Sequence, residues 1–170
     1  IEVIAARPIG ASWLLEGLWR RLDIPAAITE VTGKRRFTTD VERVVFALVA
    51  NRAIAPMSKL SAAEWASTDV VVPGLAAMDE DQAYRAMDLL VSADAQARVQ
   101  EAVFFAAANL LNLEVDLLFF DTTSTYCERD TEDNGPEALR CYGHSKDHRD
   151  DLPQIVIGLA VTREGIPVRI

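Results

Sequence analysis

The chain changes its hydrophobic repeat near residue 113. Between residues 92 and 112 the apolar positions Val99, Val103, Phe104, Ala107, Leu110 and Leu111 recur at helical spacing, whereas beyond them the apolar residues come in short runs bounded by polar clusters. One period cannot serve both regions. The expected fold is therefore α+β, with a helical region over residues 1–112 and the first strands of a sheet over residues 113–170. The sheet should begin at Glu114-Val115-Asp116-Leu117-Leu118-Phe119-Phe120-Asp121-Thr122-Thr123-Ser124-Thr125-Tyr126. Its apolar run is too short for a helix and reads as a strand buried on both faces, which delivers Asp121 to its polar end. A carboxylate carried on a rigid strand is held in one place, as a metal ion requires of a ligand. The plainer alternative is an Asp that caps a turn, followed by ordinary Thr-rich strand.

Ahead of that strand the pattern is helical. Leu14, Leu15, Leu18, Trp19 and Leu22 fall on one side of a helix over residues 11–22, leaving Glu16, Arg20 and Arg21 for water. Pro25 restarts the chain into a short helix over residues 26–31, and Gly33-Lys34-Arg35-Arg36 forms a basic turn. Thr39-Asp40-Val41-Glu42 reads as a capping box opening a central helix through Val44, Val45, Leu48 and Val49, and Ser61-Ala62-Ala63-Glu64 as a second box. Val70 to Gly74 is a connector. Asp79-Glu80-Asp81-Gln82 then opens a helix expected to bury Tyr84, Met87, Leu90 and Val91. Three short helices around a basic turn fit a helix-turn-helix DNA reader or, without a clear recognition helix, an ordinary bundle. After the loop, a strand is expected over Gln154 to Thr162, a tight turn at Arg163-Glu164-Gly165, and a further strand from Ile166.

The chain has 170 residues and a net charge of −9, which at first sight disfavours a polyanionic partner. The distribution is uneven. Residues 1–60 carry nine Lys and Arg against six Asp and Glu, residues 61–120 two against ten, and residues 121–170 six against ten. A phosphate-binding surface should lie in the first third or in local clusters, since Lys and Arg must stand together. No apolar run approaches bilayer length and no signal-peptide pattern opens the chain, so a cytoplasmic protein without a membrane partner is expected. Cys127 and Cys141 suit free thiols. The opening Ile and a last strand that has only begun suggest a piece of something longer.

Some thirty residues without apolar periodicity separate the first two strands, a length that compact domains use for function or leave disordered. Residues 128–137 are charged and expected to be flexible. Residues 139–153 concentrate His144, Ser145, Lys146 and Arg149, all able to donate to phosphate oxygens, while Gly143 lets the backbone approach. A competing reading takes Cys127, Cys141, His144 and His148 as zinc ligands, although their spacing matches no common zinc module. A third leaves the loop solvated, its charges paired among themselves.

The run Leu117-Leu118-Phe119-Phe120-Asp121-Thr122-Thr123-Ser124-Thr125, then Tyr142-Gly143-His144-Ser145-Lys146-Asp147-His148-Arg149, then Leu152 through Val168, resembles the start of the catalytic domain of bacterial insertion-sequence transposases of the IS4-like class, which carry a DDE site. The resemblance is close over the last third and in outline over the helical part. It implies a ribonuclease-H-like core, here truncated, in which two Asp and one Glu hold two Mg2+ ions for in-line attack on a phosphodiester. It places the first catalytic, metal-binding carboxylate on Asp121, the second Asp after the strand that Ile166 begins, and the Glu further on. It implies DNA at the transposon ends as partner, contacted by His144, Ser145, Lys146, Arg149 and, in the helical region, Lys34, Arg35 and Arg36, with a homodimer in the intact protein. The relatives more often carry an aromatic residue and a Gly where this chain has Cys127 and Cys141. The other expectation is a truncated DNA-binding or dimerisation module without catalysis.

Overall fold

The structure, a computed structural model, describes residues 3, 6–33, 40–92, 95–113, 118–129 and 131–170. It is a mixed α+β chain that divides into two compact units, Ile1–Asn112 and Leu113–Ile170. The described part of the first unit is helical: α1 (Gly10–Arg21), α2 (Ile24–Thr32), α3 (Val41–Ile54), α4 (Lys59–Thr68), α5 (Glu80–Ser92) and α6 (Ala95–Leu111). None of these helices is long and apolar enough to cross a membrane.

Local chemistry explains where the helices start, and it moves two of the expected starts. The side chain of Asp40 accepts the Arg43 N–H at 3.2 Å, so Asp40 and not Thr39 caps α3. Thr39 itself lies outside the described residues. The cap of α4 is Ser58, whose hydroxyl accepts the Ser61 N–H at 3.2 Å; Ser61 falls in the first turn. The expected start of α5 is observed as a reciprocal capping box, Asp79 N–H donating to Gln82 Oε1 at 2.9 Å and Gln82 N–H to Asp79 Oδ1 at 2.7 Å. Pro25 occupies the first turn of α2, where its missing N–H costs nothing.

α3 is the centre of this unit. Val44, Val45, Phe46, Ala47 and Ala50 are buried in turn around it, meeting Trp19, Ile28, Ala63, Trp65, Ala66 and Met78. The Trp19 and Phe46 rings meet edge to face with centroids 5.4 Å apart. α5 approaches through small residues, Ala83 and Ala86, with Leu90 partly buried beside them. Tyr84, Met87 and Val91, expected inside, stay on the outer side because close packing on alanines leaves them no room.

α1 is turned from its expected orientation. Ser12, Glu16 and Trp19 face inward, while Leu14 and Leu18 are exposed. The cause is Arg43, itself buried on α3: its Nη1 donates to Glu16 Oε2 at 2.6 Å, and its Nε and Nη2 each donate to Glu42 at 2.5 Å. A buried guanidinium demands carboxylates, and this demand outweighs the burial of two leucines. Glu42 also accepts Trp19 Nε1–H at 2.5 Å. The connector after α4 completes the cage, since the Pro73 carbonyl accepts from Arg43 at 3.1 Å. Gly74, with φ +77°, lies where a Cβ would come within 3.0 Å of the Arg43 Cδ.

The second unit contains an antiparallel sheet in the order β1-β2-β3, formed by β1 (Leu118–Tyr126), β2 (Gln154–Thr162) and β3 (Pro167–Arg169). β2 spans the residues its pattern predicts, and Gly165, at φ +82°, supplies the left-handed residue of the turn into β3. β1 departs from expectation twice. It is exposed, Phe120 to 71%, because the described residues of this unit include no helix to cover the sheet. Asp121 lies within the strand, fourth of nine residues and opposite Leu159, and the Thr-rich segment continues the strand beyond it. Residues 114–117, expected as its beginning, lie outside the described residues.

Replacing Arg43 with Met should cost the helical unit about 3–5 kcal/mol in chemical denaturation, because Glu42 loses its cation and Glu16 is left with the exposed Arg20 alone. Adding Glu16→Leu and Glu42→Leu should recover much of that loss. For Glu16, burial pushes the carboxyl pKa up, but hydrogen bonds from Arg43 and Arg20 outweigh it and leave the pKa below its usual value of 4.5. A lowered folded-state value means that the stabilisation is complete above that usual value and is lost as pH falls through the lowered one. Acid titration of stability should therefore show a steeper limb below about pH 4.5 in the wild type than in Glu16→Gln.

Candidate functional site

Asp121 and the loop before β2 come together along β1. The Asp121 side chain is 93% exposed, and its Oδ1 accepts the Thr122 N–H at 2.8 Å. Lys146 reaches the same atoms from the loop: its Nζ stands 3.6 Å from Asp121 Oδ1 and donates to the Thr122 carbonyl. The Lys146 backbone N–H donates to Ser124 Oγ at 3.3 Å, fixing the root of that side chain.

The turn that carries Lys146 is built from its neighbours. Ser145 is buried, at 1% exposure; its N–H donates to Asp150 Oδ1 at 2.8 Å, and its Oγ accepts the Asp147 N–H at 3.2 Å. The His148 N–H closes the turn on the Ser145 carbonyl at 3.1 Å, with His148 in the left-handed region at φ +56°. Ser145 thus holds the turn from inside, and its hydroxyl does not face a ligand. The His144 ring is exposed, its Nδ1 3.9 Å from Asp150 Oδ1. Arg149 stacks over the Tyr126 ring at 5.0 Å and is paired with Asp151 through Nε and Nη2 at 2.8 and 2.9 Å. That hydrogen-bonded pairing raises the Arg149 pKa and lowers that of Asp151. An incoming phosphate would have to compete with Asp151 for Arg149.

The rest of the loop is tied to the sheet. Cys141 and Gln154 exchange two backbone hydrogen bonds at 2.9 and 3.1 Å, and the Cys127 N–H donates to the Pro153 carbonyl at 2.8 Å. The segment expected to be flexible contains a specific closure, in which Asp133 accepts both the Arg140 backbone N–H at 3.0 Å and its guanidinium at 2.7 Å. Lys34, Arg35 and Arg36 lie outside the described residues.

Cys127 and Cys141 are free thiols. Among the described residues no three His, Cys, Asp or Glu side chains converge as metal ligands, at the zinc candidates or at Asp121. The residues at Asp121 do not by themselves fit Mg2+, which takes several oxygen ligands in octahedral array. One carboxylate is present, one of its oxygens is engaged by Thr122, and the nearest partner is an ammonium. The positioning role of Thr122, Ser124 and Asp150 toward Lys146 and Ser145 carries no local sequence signal beyond the i, i+2 spacing that puts Thr122 and Ser124 on one face of a strand.

The chain matches no protein-family model, no curated protein and no solved structure.

Replacing Ser145 with Ala removes the acceptor for the Asp147 N–H and should destabilise the turn by about 1 kcal/mol. Amide exchange at Asp147 and Lys146 should speed up accordingly, while exchange within β2 stays unchanged.

Proposed function

We propose that this chain is part of a DNA transposase of the insertion-sequence DDE type, in which the strand bearing Asp121 begins a ribonuclease-H-like catalytic core and the docked loop addresses the DNA backbone. The supporting observation is a juxtaposition. Phe120-Asp121-Thr122 and His144-Ser145-Lys146, separate motifs in the chain, meet at the Lys146 ammonium, 3.6 Å from the Asp121 carboxylate. Antiparallel pairing of the first three strands is compatible with this reading.

In this reading Asp121 contributes one carboxylate to a larger set, and Mg2+ belongs to the intact enzyme once that set is complete. The exposed His144 and, by leaving Asp121 and the Thr122 carbonyl, Lys146 turn toward a phosphate, Arg149 joins them by exchanging Asp151 for the DNA, and Ser145 holds the turn in shape. The basic run Lys34-Arg35-Arg36 adds a second, sequence-independent contact to the backbone. One observation favours a non-catalytic DNA-binding or dimerisation module instead: the solitary carboxylate at the site. The two readings part on cleavage by the full-length product. Mg2+-dependent nicking of transposon-end DNA that Asp121→Asn abolishes supports the transposase, and equal nicking by both removes Asp121 from the mechanism.

The chain itself should bind a 30-base-pair duplex at low salt, as followed by fluorescence anisotropy. Affinity should fall with salt, and Lys146→Ala should reduce the slope of log affinity against log salt by about one. Absence of binding at about 20 mM salt, where screening of phosphate contacts is weak, would overturn the DNA reading.

A further inference from the structure

We propose that α1 of one copy of this chain packs antiparallel on α5 of a second copy. Packing inside the helical unit leaves these two helices with complementary outer faces. On α1 the Arg43 cage turns Ser12, Glu16 and Trp19 inward, so Trp13, at 67% exposure, Leu14 and Leu18 stand in water beside Arg20 and Arg21. On α5 the close approach of Ala83 and Ala86 leaves Tyr84, Met87 and Val91 outside, among the exposed acids Glu80, Asp81 and Asp88. One face is apolar and basic, the other apolar and acidic. Arg21, Glu80 and Asp88 enter none of the ion pairs formed among the described residues, so each has a charge to offer a partner.

Spacing and size match as well as charge. α1 has 12 residues and α5 has 13. The exposed positions run 10, 13, 14, 17, 21 up α1 and 91, 88, 87, 84, 80 down α5, with the same gaps in both series. Set antiparallel with Arg21 beside Glu80, the helices bring Gly17 opposite Tyr84, Leu14 opposite Met87, Gly10 opposite Val91, and the Trp13 indole N–H, a donor, opposite Asp88. Small residues thus meet large ones, and the acidic start of α5 lies by the basic end of α1, as the two helix dipoles favour. A glycine inside a helix is less favourable than alanine, yet a Cβ built on Gly17 would meet nothing within 4 Å, so no neighbour in its own chain requires it. A groove of about 510 Å3 opens along it, lined by Trp13, Leu14 and Leu18. Tyr84 of a second copy fits both observations. Nucleic acid would satisfy the arginines but leave the apolar side chains in water, whereas a second copy covers both.

The test is sedimentation equilibrium of the whole chain at about 50 mM salt, where surface charges are weakly screened. Concentrations should reach about 1 mM, because two short helices bury less than the roughly 800 Å2 per partner of a standard interface. Average mass should rise with concentration. Gly17→Leu, which has room to fold, should weaken association about tenfold by filling the seat of Tyr84. Arg21→Glu and Glu80→Arg should each weaken it about two- to fivefold, and the chain carrying both changes should regain wild-type association, since the ion pair returns with its signs exchanged. A mass that stays monomeric throughout overturns the proposal. So does association that Gly17→Leu leaves unchanged, or a loss in the single charge variants that the double variant fails to rescue, since either puts the contact on another surface.

Discussion

The helical unit depends on one guanidinium held almost out of water. Arg43 sits on the most buried helix and must be matched by charge, and the matching carboxylates come from α1 and from its own neighbour Glu42. That requirement sets the rotation of α1, brings Trp19 against Phe46, and draws the Pro73-Gly74 connector over the arginine stem. Nothing in this arrangement resembles a catalytic centre. Its carboxylates are engaged by the arginine, so the acids of this cage serve the fold, whereas Asp121 is a solvent-exposed acid carried on a described strand.

In the second unit the ordering works differently. Backbone pairing fixes β1 against β2, no helix of this unit covering them among the described residues, and the long loop returns to the same strand through Lys146 and Ser124, next to the buried Ser145. A polar residue buried inside a loop is unusual unless its bonds are made, and here the Ser145 Oγ accepts the Asp147 N–H while the Ser145 backbone N–H donates to the Asp150 carboxylate. The charges of the loop are partly neutralised locally, Arg149 by Asp151 and Arg140 by Asp133, which leaves Lys146 and His144 as its more approachable donors. The expected self-pairing of loop charges and the expected phosphate contacts thus describe different residues of one segment.

What could be read from the sequence followed the range of the forces involved. β2 was legible from end to end because an apolar run bounded by polar residues and a Gly turn are local, and the start of α5 because Asp79 and Gln82 lie three residues apart. The rotation of α1 was not, since Glu16 looks like a surface residue until Arg43, 27 positions later, is brought beside it. Burial of β1 was inferred from its apolar run, which reports what a strand could bury and not what covers it. At the candidate site Asp121 and Lys146 were each identifiable by type and setting. Their adjacency across 24 residues of chain was not, because no local rule fixes where a long loop lands.

The Lys146 contact has a further consequence for how the protein behaves as a material. β1 is one of the two edge strands of its sheet among the described residues, and an apolar edge strand invites other chains to add themselves alongside. At Thr122 both backbone groups are already occupied, the N–H by a carboxylate and the carbonyl by an ammonium. An approaching strand would find that rung filled and would have to evict a charged pair before it could dock. The pair that marks the candidate site thus takes up backbone groups that a docking strand would need at that edge.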